Sequence, residues 1–188
     1  MDHATTDLCI PVNIPSNLTD PAPVERWNPP LTGVLDLCIA RDGTWYHEGR
    51  IIRREALVHL FARVLRREED GHHYLVTPVE KWRIRVELAP FRAVRLDIEG
   101  CGRNQSLHFT TNLGDTVTVD SAHPLQVEYP VPGGEPVPLL LVRGRLQALL
   151  TRAAFLELAT LGEAREDGHF GVWSRGCFFS LGRLDDSD

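Results

Sequence analysis

Arginine is the residue type best placed to do chemistry in this chain, and two arginines stand where chemistry could be done. Arg54 precedes the apolar series Leu57, Leu60, Phe61, Val64, Leu65, and Arg143 precedes Leu146, Leu149, Leu150. Spacings of three and four residues place each series on one face of a helix. Counting about 100° per residue from Leu57, the apolar face centres near about 25° and Arg54 falls near about 60°, inside the same arc. Arg143 holds the same place relative to Leu146. Both guanidinium groups are therefore expected to turn toward the body from the first turn of a helix. Neither predicted start carries a Ser, Thr, Asp or Asn at the N-cap, and Gly144 is a weak cap. Open amides, the positive end of a helix dipole and an inward arginine together describe an anion site. The competing expectation is that each arginine pairs with a carboxylate of its own unit, such as Asp36, Glu80 or Glu99, because buried arginines are nearly always paired. Arg63 and Arg152 fall near about 240°, away from the apolar face, and belong to a solvated flank or to a seam between units.

Other residue types make weaker cases. His72 and His73 are adjacent and His169 has a similar context, but all three follow Asp-Gly turns, where polar side chains serve the backbone. No metal site is expected from them. Cys101 and His108 flank one strand with no third group to orient them, so no thiol–imidazole catalyst is expected. GxSxG, HExxH, GxxxxGK and a strand-linked GxGxxG are all missing, so the sequence names no catalytic residue and no cofactor. The aromatics Trp45, Tyr46, Trp82, Phe109 and Trp173 lie in predicted strands, where core packing is the default. In the run from Trp82 to Arg85, alternation puts Trp82 and Arg83 on opposite faces, which argues against a base-stacking surface.

The elements that would position these residues repeat faintly. Arg54, Leu57, Leu60, Phe61 and Arg63 recur 89 residues later as Arg143, Leu146, Leu149, Leu150 and Arg152. The Asp70-Gly71-His72 turn recurs 97 residues later as Asp167-Gly168-His169. Such an echo predicts one helix-then-strand unit used twice, with a seam between the copies as a place for a pocket. Residues 1–26, rich in proline, read as an extended arm. A strand over 31–40 turns at Asp42-Gly43 into a return strand. A helix is predicted over 53–68, then strands over 72–78, 82–88, 91–99, 106–112 and 115–120. A Pro/Gly loop follows over 130–138, then a strand over 138–142, a second helix over 144–161, two closing strands and an acidic tail. Strands interrupted by single helices predict an α+β class. The expected division is an arm (1–26), an N-terminal α+β unit (27–84), a C-terminal α+β unit (85–181) and the tail (182–188).

Composition bounds what such a fold can be. The chain has 188 residues, 43% hydrophobic and 24% charged, which suits an ordinary globular protein that needs no metal or disulfide staple. A formal charge of −6 argues against a binder of nucleic-acid polymers. Cys9, Cys38, Cys101 and Cys177 lack CxxC spacing, and the N-terminal residues lack an export pattern, so reduced thiols and a cytoplasmic location are expected. No apolar run reaches the roughly 18 residues of a membrane span.

Several ordered motifs carry a resemblance: WNPPLTGVLDLCIARDGTWYHEG, LVHLFARVL, DGHHYLVTPVEKWRIRVELAPF, FTTNLGD, HPL, VRGRLQALLTR and VWSRG. Over residues 27–181 the chain resembles the uncharacterised bacterial domain-of-unknown-function family number twelve-eighty-five. The resemblance implies a duplicated α+β core whose C-terminal half is similar to pleckstrin-homology folds. It also implies a small anionic or nucleotide-like ligand at the seam and a role in signal transduction. The positions that would line such a seam are Arg54, Thr77, Glu80, Thr110, Asn112, His123, Arg143, Arg152, Trp173 and Ser174. The expected function is a non-catalytic regulatory, ligand-binding protein, with a homo-oligomer compatible with it. The alternative is a protein-interaction or assembly module without a small ligand, marked by a large exposed apolar patch.

Overall fold

The computed structural model of the chain describes Val12, Ile14, residues 22–131 and residues 134–184. Most of the expected proline-rich arm, Cys9 included, lies outside the described residues, as do Pro132, Gly133 and the last four residues of the acidic tail. The first elements are β1 (Leu31–Ile39), β2 (Trp45–His47), β3 (Arg50–Ile51), α1 (Glu55–Arg63), β4 (Leu65–Arg67), β5 (His73–Val76) and β6 (Lys81–Val86). Next come β7 (Phe91–Glu99), β8 (Ser106–Thr111), β9 (Thr116–Thr118), β10 (Leu125–Glu128), β11 (Val137–Arg143) and β12 (Leu146–Leu150). The chain closes with α2 (Arg152–Ala159), β13 (Glu163–Ala164), β14 (His169–Ser174) and β15 (Cys177–Arg183). The fold is α+β and duplicated. Its described residues divide into two compact units, one of those up to Leu35 with residues 54–84 and the other of residues 36–53 with those from Arg85 on.

In the first unit, β4, β5 and β6 form an antiparallel meander in which Leu65 faces Leu75 and Leu75 faces Trp82. Phe61, Val64, Leu65, Leu75 and Val76 are its buried centre. The helix ends earlier than the predicted 53–68, because Val64 caps α1 and Leu65 already begins β4. Helical spacing and strand entry both bury Val64 and Leu65, so periodicity could not separate them. Arg66 ties the chain's start to this meander. Its guanidinium donates to the carbonyls of Val24 (2.7 Å) and Trp27 (2.6 Å) and pairs with Glu68, which Lys81 also contacts at 3.1 Å.

In the second unit, the end of β1 pairs with β2 through the Asp42-Gly43 turn, as predicted, with Ile39 opposite Trp45. Gly43 takes φ of +87°, a conformation that favours glycine. A six-stranded sheet has the order β10-β11-β12-β7-β8-β9, and β12 runs parallel to β7 with Ala148 opposite Phe91. A three-stranded sheet has the order β13-β14-β15. The segment 144–161, predicted as one helix, is two elements. Leu146–Leu150 is a strand, and only Arg152–Ala159 is helical. Pairing with β7 on one side and β11 on the other outweighs the helical spacing of the leucines.

The repeat is real, but its register is 97 residues throughout. The α1-β4-β5-β6 run returns as α2-β13-β14-β15, with Glu55 matched by Arg152 and buried Phe61 by buried Leu158. The turn at Asp70 matches the turn at Asp167. An offset of 89 residues sets the leucines of helix α1 against those of strand β12.

Candidate functional site

The second unit holds a cleft of about 420 Å³, within the roughly 300–1,000 Å³ of small-molecule sites. Three arginines line it: Arg41 from the β1–β2 turn, Arg92 from β7 and Arg152 from the first turn of α2. Arg92 is the anchored member. Its guanidinium donates to the Arg41 carbonyl at 3.2 Å, and its backbone N–H donates to Asn112 Oδ1 at 2.9 Å. Gly43 packs against it so closely that a Cβ there would stand 2.9 Å from Arg92 Cγ. Burial, followed by the nearby Arg41 guanidinium, pushes the Arg92 pKa below the ordinary guanidinium value, and Asp42 offsets part of this. Among the described residues, no carboxylate forms an ion pair with Arg41, Arg92 or Arg152. The rest of the lining is largely apolar: buried Pro138, Leu149 and Leu150, half-buried Pro136 and Phe155, and exposed Leu156.

Few of the ten positions expected to hold a ligand reach this cleft. Arg152 lines it, and Asn112 braces Arg92. Arg54 caps α1 with its carbonyl, which accepts from Leu57 N at 2.9 Å, and its side chain is exposed where an inward one was expected. Arg143 lies in β11 instead of a helix start, with its guanidinium 5.1 Å from the centre of the Phe91 ring. The true start of α2 does have a cap, because Thr151 Oγ1 accepts from Ala154 N at 3.3 Å. Gly144 instead turns β11 into β12 at φ +52°.

The other expected positions have local tasks. Thr77 is fully buried, and its hydroxyl accepts from Glu80 N at 3.2 Å. Glu80 accepts from the Trp82 indole at 3.0 Å. Thr110 accepts from Arg95 at 3.3 Å. His123 lies 3.1 Å from the Asp120 carboxylate in an Asx turn. Ser174 is fully buried, donating to the Val119 carbonyl at 2.6 Å and accepting from Leu107 N at 3.1 Å. Trp173 borders a second, polar groove, with its indole donating to Glu163 and Arg103 stacked 5.0 Å from its ring centre.

The weaker sequence candidates resolve similarly. His72 and His169 accept the backbone geometry of Asx turns, their amides donating to Asp70 and Asp167 at 2.9 and 3.1 Å. The His108 ring contacts Thr118 at 2.9 Å and Glu99 at 3.6 Å. Among the described residues, no group of three or more His, Cys, Asp or Glu could hold a metal. Sequence reasoning missed Arg41 and Arg92. The legible signal was the Asp42-Gly43 turn, which sets Arg41 at a loop tip, but Arg92 meets it only through the pairing of distant strands.

Comparisons agree with this architecture. Residues 22–89 match the family described as "Domain of unknown function (DUF1285), N-terminal domain", and residues 90–181 match its C-terminal domain. The crystal structure of a DUF1285 family protein from Silicibacter pomeroyi DSS-3 is 48% identical, with a TM-score of 0.85, covering 92% of each chain. A DUF1285 family protein from Shewanella baltica OS155 is 24% identical, with a TM-score of 0.52, covering 68% of this chain and 92% of its own, and shows the fold alone. No curated protein matches the sequence.

Proposed function

The chain belongs to the DUF1285 family, and from that premise we propose that it is a non-catalytic regulatory protein that binds a small organic anion in the cleft of its second unit. The observation that carries this reading is the convergence of Arg41, Arg92 and Arg152 on one cleft with no carboxylate ion-paired to them among the described residues. The Arg41 charge disfavours the partly buried charge of Arg92, and a bound anion would relieve that cost with charge-assisted hydrogen bonds. Arg92 would orient the anion, being held by the Arg41 carbonyl and braced through Asn112. Arg41 and Arg152 are exposed and can close on it from two different elements. Coupling this occupancy to a signalling partner is the regulatory role that the reading assigns.

Thermal unfolding with inorganic phosphate, phosphate monoesters and carboxylates tests the proposal. A ligand at about 100 times its Kd adds roughly 2.7 kcal/mol, a shift of several degrees for a chain of this size. Arg92→Met should abolish that shift while leaving a folded protein. A wild type unmoved by every anion, or an Arg92→Met variant that binds as well, would defeat the reading.

A further inference from the structure

We infer that the anion is amphipathic, one compact charged head on an apolar body, and not a nucleotide; this rests on the anion-cleft reading above. The charges of the lining define the head. The lining has three arginines and one carboxylate, Glu135, so the cleft carries two net positive charges, enough for a phosphate monoester dianion or a carboxylate. A triphosphate would bring more negative charge than this lining offsets and would meet Glu135 as well.

The remaining walls define the body. The lining contains no Ser, Thr, Asn, Gln, Tyr or His side chain; besides the arginines and Glu135 it offers leucine, phenylalanine and proline. A nucleobase edge and ribose hydroxyls placed there would give up water without gaining partners, which is costly. An alkyl or aryl group would bury apolar surface instead. Leu156 supports this independently. It stands 56% exposed on α2, four residues after Arg152, so the two side chains share one face of the helix. An anionic head at Arg152 thus has an uncovered apolar side chain about one helical turn away, roughly 6 Å along the axis for four residues.

The test uses three phosphate monoesters with the same head: methyl phosphate, hexyl phosphate and AMP, titrated calorimetrically into the full chain. Each fully buried methylene is worth about fourfold in affinity, so hexyl phosphate should bind at least about tenfold tighter than methyl phosphate even when its chain is only partly covered. AMP should bind no tighter than methyl phosphate. Leu156→Ser, an exchange at an exposed position, should shrink the gain from the longer chain, read as the ratio of hexyl to methyl phosphate affinity within the variant itself. If hexyl phosphate gains nothing over methyl phosphate, if AMP binds tighter than methyl phosphate, or if Leu156→Ser keeps the full gain, the inference falls and the anion cleft stands. Should Arg92→Met bind hexyl phosphate unimpaired, or should the folded wild type bind none of the three esters and no carboxylate, both fall together; a wild type that binds carboxylates but none of the three esters defeats the inference alone.

Discussion

At the scale of single residues, the polar groups that matter most are those without access to water. Ser174 bridges β14 to Val119 and Leu107 through both hydrogen-bonding functions of its hydroxyl. Ser174→Ala leaves those backbone groups short of partners and should cost about 1–3 kcal/mol, visible as a lower thermal midpoint; an unchanged midpoint would show that water replaces the hydroxyl. His73 behaves differently because it titrates. Burial, ahead of the charges of Arg67 and His72, pushes it down to about 4 from 6.5. The unfolded chain therefore takes up this proton first. The stabilisation is complete above about pH 6.5 and is lost progressively as pH falls toward 4. Urea midpoints measured between pH 7 and 5 should fall in the wild type and flatten in His73→Gln. Parallel slopes in the two proteins would exclude His73 as the cause.

At the scale of elements, short helices and strands depend on side chains that fasten them. Arg66 holds the segment around Val24 and Trp27 against β4 through two carbonyls and Glu68. Burial alone would raise the Glu68 pKa, but hydrogen bonds from Arg66 and Lys81 hold it below the usual value. Arg66→Met should cost on the order of 2–3 kcal/mol, the range for charge-assisted bonds, and should raise amide exchange first at residues 24–27. Equal exchange throughout the first unit would mean that the segment is held by packing alone. The repeated unit explains why so few residues suffice. Helix, hairpin and third strand recur at one register, each copy closed by its own Asx turn at Asp70 or Asp167.

At the scale of the whole molecule, charge is distributed against its total. The chain carries a formal charge of −6 while one cleft gathers three arginines. Two of them are exposed, so salt should screen the attraction. Affinity for a phosphate monoester is expected to fall severalfold between about 0.05 and 0.5 M NaCl, and duplex DNA should not be retained near about 0.15 M. Salt-independent binding would place the anion on a buried group instead. No helix among the described residues is long and apolar enough to cross a membrane.

The sequence by itself determined the α+β class, the duplication, the hairpin at Asp42-Gly43 and the run of strands from His73 to Thr118. Each of these is written locally, in alternation, turn residues or a repeated tripeptide. It also showed that arginine was the residue type to follow. Only the tertiary structure decided which arginines meet. Arg41, Arg92 and Arg152 are separated by about fifty and sixty residues, and no local period relates a turn tip, a strand start and a helix start. The same cause misplaced Arg143. The leucines after it satisfy a helix and a strand equally, and the choice was made by β7, whose backbone pairs with Leu146–Leu150 from far away in the chain. The hairpin of residues 36–53 likewise packs with the second unit while its flanks belong to the first. That division depends on hydrogen bonds and burial between distant segments, which a one-dimensional pattern does not carry.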